Sequence, residues 1–331
     1  MTAAPINHTP RFIVDVVPAQ CEPRYGIKVP IGKSGEAMSV AIRTERLIEE
    51  TAAVARVESG MTLAIGEPAP AALIRQIIRR GIRDLTVVGS GLALDLLIAG
   101  GCVRKTISYY AGGGVRVAVA PMFRRAAERG EINVWECDEG ILTSGLEAAG
   151  KGLPFMPWRG GVGTSLPEIN PDLKLFQDPI RGETLLAVPA IKVDVALLHA
   201  SLADVYGNVQ HRGGPGWIDL FLQRAATYCI VQVEKIVPNE QIRADPWATT
   251  IGRADAVVRL PWGAHPWYSR GWYIQDTPWL SQYVSAATAA ADRDEPAALQ
   301  SLLTEYCRQP QSHAEYLARI GLPRLLALHE Y

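Results

Sequence analysis

From Arg43 onward the chain alternates short apolar runs with longer amphipathic ones, and no other feature constrains the fold as strongly. RTERLIEETAAVARV reads as an amphipathic helix and MTLAI, Met61 to Ile65, as a short buried strand. In AALIRQIIRR, Leu73, Ile74, Ile77 and Ile78 fall on one helical face and Arg75, Arg79 and Arg80 on the other, with Gly81 as the C-terminal stop. The series continues as LTVVG (strand), LALDLLIAG (helix), TISYY (strand), APMFRRAAERG (helix), INVWE (strand) and DEGILTSGLEAAG (helix). Strands separated by crossover-length helices pair in parallel, so the expectation is an α/β protein built on an open, mostly parallel, doubly wound sheet.

The second half repeats this grammar less regularly. TLLAVPA, VDVALLHA, GNVQ, CIVQVEKIV and ADAVVRL read as strands, IDLFLQRAATY as a helix, and the tail from Pro278 as largely helical. Between the halves, the glycine- and proline-rich run LPFMPWRGGVGTSLPEINPDLK, Leu153 to Lys174, is the expected long loop or hinge. Prolines at 5, 10, 18, 23 and 30 without sustained periodicity give an extended N-terminal arm over 1–43, followed by an α/β domain over 44–285 and a helical C-terminal tail over 286–331.

Several function classes fall away on composition and motif. A net charge of -1 favours neither nucleic acid nor an anionic membrane, and no segment reaches the roughly 18 apolar residues a span needs. Five cysteines without a C-x-x-C pair, and an N-terminus lacking a secretory pattern, lead to the expectation of reduced thiols in a cytoplasm. Gly32-Lys33-Ser34 lacks the glycine a phosphate-binding loop requires five positions earlier, where Ile27 stands. Gly89-Ser90-Gly91 opens a helix after a strand, but Leu94 occupies the third glycine position of a dinucleotide fingerprint. No G-x-S-x-G elbow and no metal-ligand spacing among the six histidines occurs, so neither a serine hydrolase nor a metal site is expected.

What remains is a row of glycine-rich turns at the C-terminal ends of the expected parallel strands: Gly66, then Gly89 and Gly91, then Gly112, Gly113 and Gly114. Ligands of open α/β sheets bind at that edge, where glycine lets backbone N–H groups approach an anion or a developing oxyanion. Ser90 either donates to a substrate carboxylate or caps the helix starting near Leu92. Of Tyr109 and Tyr110, one must point toward the edge and the other away. Arg116 either pairs a distal carboxylate or is a solvated surface cation.

Taken in order, ESGMTLAIG, LIRQIIRRGIRDLTVVGSGLALDLLIAGGCVRK, APMFRRAAERGEINVWECDEG, RGGVGTSLPEINPDLK, VDVALLHASLADVYGNVQ, VEKIV and PWGAHP resemble the α subunits of class I CoA-transferases, the glutaconate CoA-transferase type in particular. The resemblance spans roughly residues 44–285 and implies the NagB/RpiA/CoA-transferase type of fold. It implies a transfer of CoA between carboxylic acids through a glutamyl-CoA thioester, with coenzyme A as substrate and no permanently bound cofactor. In two-chain relatives the nucleophilic glutamate belongs to the β subunit, so the resemblance implies a β-subunit partner, in a heterodimer or heterotetramer, and no catalytic side chain here. The edge residues Gly66, Ser90, Gly91, Tyr109, Gly112, Gly113, Gly114 and Arg116 would then line the substrate and oxyanion side.

Two departures from the family pattern stand out. Where related α subunits continue the first strand with a Gly-Gly-Phe-like turn, this chain has Gly66-Glu67-Pro68-Ala69-Pro70; either the prolines rebuild the turn or Glu67 places a charge in the site. Relatives that hydrolyse a ring carbon–carbon bond in cyclic CoA thioesters carry a glutamate where this chain reads Val119-Ala120-Pro121, which weakens that alternative. A ligand-binding or assembly protein without catalysis is the third reading, since fold alone does not dictate chemistry. His199, ending an apolar strand, is expected to be a satisfied buried histidine. The tryptophan-rich segment around His265, with Trp247, is expected at a subunit interface or a CoA-facing lid.

Overall fold

The structure, a computed structural model, describes residues 43–112 and 117–329; the N-terminal arm before Arg43 and the edge residues Gly113, Gly114 and Arg116 lie outside them. Four short strands come first: β1 (Thr62–Ile65), β2 (Leu85–Val88), β3 (Val103–Ser108) and β4 (Asn133–Glu136), each paired in parallel with the next. Between and around them run α1 (Glu50–Val54), α2 (Ala71–Arg79), α3 (Gly91–Ala99), α4 (Pro121–Glu128) and α5 (Glu139–Gly150). The parallel sheet expected from the alternation is thus present. The first helix is much shorter than its amphipathic run, because Leu47 forms a bridge instead, pairing with Val257.

The expected loop from Leu153 to Lys174 contains structure of its own. β5 (Phe155–Trp158), a short helix α6 (Leu166–Ile169), β6 (Lys174–Gln177) and β7 (Thr184–Pro189) build a small antiparallel sheet in the order β5-β7-β6. Proline in β5 and Arg–Gly breaks around it obscured the period-two signal, but an edge strand tolerates both.

β8 (Val193–Ala203) then returns to the main sheet beside β1, followed by β9 (Val209–Gln210), α7 (Asp219–Ala225), β10 (Ala226–Ile236), α8 (Asn239–Ala244), β11 (Thr249–Ile251) and β12 (Ala256–Arg259). Strand β10 lies between β8 and β12, which makes the parallel order β12-β10-β8-β1-β2-β3-β4. Length differences along this sheet matter more than its order. β8 and β10 pair from Val193↔Ala226 to Ala203↔Ile236, whereas β1 stops opposite Leu197. The vacated side of β8 is taken by β9, antiparallel, through Leu202↔Gln210 and Ala203↔Val209. The segment between β8 and α7 therefore sits directly above the end of β1.

Alternation along the strands splits the core in two. Leu63 and Ile65 face one cluster, with α2, α3 and the C-terminal helices, while Ala64, Ala196 and Leu198 face the other, with α5 and α7. The tail comprises α9 (Thr277–Arg293), α10 (Ala297–Leu303), a π turn at Thr304–Arg308, α11 (His313–Ile320) and α12 (Leu322–Ala327). The expected boundary at 285/286 falls inside α9, whose Trp279, Leu280 and Tyr283 share the first cluster with α2 and α3. Asp95, inside the apolar α3, ties this seam together by accepting from the Tyr283 hydroxyl at 2.7 Å and the Phe123 N–H at 2.7 Å. No helix among the described residues is long and apolar enough to cross a membrane.

The tail explains why Arg75 is not on a solvent face. It is buried, stacked over the Tyr316 ring at 3.5 Å, and donates to the His265 carbonyl at 2.8 Å. His265 pairs with the Tyr316 hydroxyl at 2.6 Å and with Asp276 at 3.1 Å. Asp276 also caps α9 through the Trp279 N–H and receives a two-pronged contact from Arg324 of α12. Burial pushes the Asp276 carboxyl up, but the His265, Arg324 and Trp279 donors outweigh it and hold the group well below the usual carboxylate range. The aromatic segment around His265 is accordingly an internal seam: Trp262 stacks on Tyr273 at 4.3 Å, and Trp279 is buried, while Trp247 stands apart and exposed.

Replacing Asp276 by Ala removes a helix cap and leaves the buried His265 Nε2 and the Arg324 guanidinium without their carboxylate, and should cost about 3 kcal/mol of unfolding free energy. Denaturant melts of the two proteins measure this, and a loss under about 1 kcal/mol would show that the network does not hold the tail. His313 supplies a pH-dependent counterpart. Burial, reinforced by the Arg75 cation facing its Nδ1 at 3.1 Å, pushes its pKa from 6.5 down to about 3. Below pH 6.5 the unfolded chain then binds a proton the folded one refuses, so stability should fall as pH drops from 6.5 toward about 3. Urea melts across that range should show the slope flattened in His313→Gln.

Candidate functional site at the strand ends

The C-terminal ends of β1, β2 and β3 lie side by side; β1 and β2 run directly into Gly66 and Gly89, and β3 reaches Gly112 after Tyr109, Tyr110 and Ala111. A Cβ on Gly89 would stand 2.2 Å from Ile65 Cγ1, and one on Gly66 would stand 2.6 Å from both Asp219 Oδ1 and Leu198 Cδ2. These positions accept no side chain without rearrangement. Gly91 has φ +60, opens α3, and donates its N–H to the Tyr110 carbonyl at 3.2 Å, which draws the β3 turn onto the β2 turn. Gly112 lies against the Tyr110 ring.

Ser90 stands at the N-cap of α3 yet makes no capping hydrogen bond through its side chain; its Oγ instead lies 3.5 Å from the Tyr109 hydroxyl. Tyr109 is the half-buried one of the tyrosine pair and Tyr110 the exposed one. Beside them, at the ends of β3 and β4, a cavity of about 300 Å³ is lined by Tyr109, Tyr110, Val119, Phe123, Val134 and Cys137. Burial pushes the Cys137 thiol up to about 12, with Asp138 and Glu136 adding to the effect, so it is not a thiolate near neutrality.

Above β1 the structure adds a glycine-rich loop that the strand-end pattern did not single out, Arg212-Gly213-Gly214-Pro215-Gly216-Trp217. A Cβ on Gly216 would fall 1.9 Å from the Glu67 carbonyl oxygen, so this loop rests on the Gly66–Glu67 turn backbone to backbone. Trp217 meets the Tyr109 ring edge-on, centroids 5.2 Å apart. The carboxylate of Asp219 accepts the Glu67 N–H at 2.9 Å through Oδ1 and the Gly216 N–H at 3.1 Å through Oδ2. It is fully buried, and burial raises its pKa to about 7, against the pull of those two N–H groups. The signal for this loop was its R-G-G-P-G composition. It lacked the strand–turn–helix context that made the other glycines legible, since β9 before it is only two residues long.

Glu67 is thus held by its backbone at the end of β1, half-buried, one residue past the last ladder bond from Gly66 N–H to the Leu197 carbonyl at 2.9 Å. His199 lies on the opposite face of the sheet, its ring between Gln232 and Ser269 at 2.9 Å each, with Glu234 at 3.2 Å. It is fully buried and does not reach the strand-end cluster.

The sequence profile of the Coenzyme A transferase family matches residues 48–258. One subunit of the 3-oxoadipate CoA-transferase of Pseudomonas knackmussii is 35% identical over 257 residues, 76% of this chain and 88% of that one. The cholesterol ring-cleaving hydrolase IpdA subunit of Mycobacterium tuberculosis is 36% identical over 252 residues, 71% of this chain and 86% of the relative. Among solved structures, glutaconate coenzyme A-transferase from Acidaminococcus fermentans superposes with a TM-score of 0.78 at 31% identity, covering 86% of this chain and 96% of that one. The parallel sheet with glycine at its strand ends and the match across most of the chain lead to one conclusion: this chain belongs to the coenzyme A transferase family.

Proposed function

We propose that the chain is the α subunit of a two-chain CoA-transferase that moves CoA between carboxylic acids, with a β subunit supplying the nucleophilic glutamate at the strand-end face. The observation that carries this reading is the likeness to one subunit of a CoA-transferase, 35% identical over 88% of its length, joined to a strand-end edge built from backbone and hydroxyl groups. In the proposed cycle the partner's carboxylate attacks the acyl-CoA carbonyl, the C–S bond breaks, and CoA thiolate leaves an acyl-glutamyl anhydride. The thiolate then attacks the glutamyl carbonyl, expelling the first carboxylate and forming the glutamyl-CoA thioester. An acceptor carboxylate reverses both steps. Each attack passes through an oxyanion; the Gly66, Glu67 and Gly91 N–H groups are already bonded to Leu197, Asp219 and Tyr110, so the donors this chain offers would be other N–H groups of the turns around Gly91 and Gly112, each worth roughly 3 kcal/mol if aimed at it. Ser90 and Tyr109 would orient the acyl carboxylate, and a reducing cytoplasm fits thiols that are free at Cys102, Cys137, Cys229 and Cys307.

The ring-cleaving hydrolase reading has equal sequence support, at 36% identity. It is the weaker one because the segment in which the resemblance places the hydrolases' glutamate presents Val119 to this cavity, an apolar side chain without a proton to give or take; the acid in the lining is Glu136, from the end of β4.

Co-expression with the β chain and purification of the pair decide between them. Acyl-CoA turnover should depend on an added acceptor acid and yield the acceptor's CoA thioester; free CoA released equally fast without acceptor would make it a hydrolase. Within the same pair, Glu67→Gln should retain at least about a tenth of the activity, a barrier change under about 1.4 kcal/mol, since the turn is placed through its backbone. Near-total loss with the pair still assembled would make Glu67 a catalytic group.

A further inference from the structure

We propose that Asp219 is a positioning residue of this site: its buried carboxylate ties the Gly66–Glu67 turn to the loop ending in Gly216 and Trp217, so that the strand-end groups keep one relative placement. The inference rests on the reading of this edge as the place of reaction. Its basis is a continuous chain of contacts across three strands. Beyond Gly66 the ladder to β8 ends, and the next donor, the Glu67 N–H, goes to Asp219 Oδ1 at 2.9 Å. The other oxygen takes Gly216 N–H at 3.1 Å, and the Asp219 N–H returns to the Gly216 carbonyl at 3.2 Å. Trp217, the next residue, packs on Tyr109, whose hydroxyl faces Ser90. A shift of the loop off the β1 turn is therefore passed to the ends of β3 and β2. Glycine at 66 and 216 is what permits the approach, since a Cβ at either would meet the Asp219 carboxylate within 2.6 Å and 3.0 Å respectively.

A carboxylate suits two inward-pointing N–H groups because both of its oxygens accept; an amide of the same shape turns one acceptor into a donor facing a donor. The same holds on protonation. Burial, with a smaller push from Glu67, lifts Asp219 while the two N–H bonds and Arg270 oppose, and the balance leaves it at about 7. His211, at the end of β9, places Nε2 4.0 Å from Oδ2, beyond hydrogen-bond range. Its own pKa is pushed down to about 4 by burial and by His199 and Arg270, so near neutrality it adds no charge. Cys229 of β10, likewise pushed up by burial and by Asp255 and Asp219, is a neutral thiol there. As pH falls through about 7 the carboxylate gains a proton and one N–H loses its acceptor.

The test uses the full chain purified with its β partner. Hydrogen exchange at the Glu67 and Gly216 amides, corrected for intrinsic rates, should lose about tenfold protection as pH falls through 7 in the wild type, and should be low throughout in Asp219→Asn. Transfer should follow, with kcat reduced about tenfold or more in the variant, KM changed less, and the pH step near 7 abolished. Trp217→Ala, which removes the loop's packing on Tyr109 and leaves both Asp219 hydrogen bonds in place, should lower kcat while keeping the pH step, and it carries the test if Asp219→Asn does not assemble. Wild-type protection and an unaltered pH profile in Asp219→Asn would overturn the proposal, as would lost protection with unchanged kcat. A wild-type pair without any transfer activity would instead sink the functional reading, and the exchange measurement would still decide whether the clamp exists.

Discussion

The candidate site depends on crowding at the end of β1. Gly66, Gly89 and Gly216 converge there so closely that a methyl group on any of them would lie between 1.9 and 2.6 Å from a neighbouring atom. Such packing commits the N–H groups of Gly66, Glu67, Gly89 and Gly216 to one another's neighbours, to Leu197, Ile107 and Asp219. It also makes the geometry stiff, because interiors at this density yield only by moving whole segments.

Strand length turns that crowded point into a site. Were β8 and β10 as short as β1, the edge would be flat. Their additional residues carry the sheet past Leu197 and give β9 a strand to pair with, so a loop returns over β1 rather than away from it. The opposite face is closed by the tail, where Arg75, His265, Asp276 and Arg324 satisfy one another under apolar cover. Polar groups buried on that face hold helices in place, whereas those at the strand ends hold backbone turns, and the two sets lie on different sides of the sheet.

This division sets what the sequence could reveal. The parallel strands, their order of appearance and the glycine row were legible because each rests on local period and turn chemistry within about ten residues. Arg75 falls with Arg79 and Arg80 on the face opposite the apolar one, and its burial was not legible because helical periodicity cannot register a tail that arrives some 240 residues later and stacks Tyr316 on the guanidinium. The internal partners of the tryptophan-rich segment, α2 and α11, were illegible for the same reason, being distant in sequence. Asp219 was invisible altogether. Within IDLFLQRAATY it reads as an ordinary first-turn acid, and only the overhang of β8 brings the Gly66–Glu67 turn to its carboxylate.

On the proposed reading, in which the partner brings the nucleophile, the electrostatics of this edge matter. An oxyanion forming there would be destabilised by a nearby full negative charge by about 4 kcal/mol at 4 Å and an effective dielectric constant of 20. Asp219 avoids much of that cost by being buried under two N–H groups with its pKa lifted to about 7, and the nearby Cys137 thiol is held neutral, which leaves the half-buried Glu67 as this chain's own acid at the end of β1. A carboxylate nucleophile loses its charge on attack and is therefore compatible with such an edge only as the attacking group, arriving from the open side. On the proposed reading this chain contributes the preorganised dipoles and the partner contributes the charge. Neither half alone would then combine a stable resting state with a stabilised transition state.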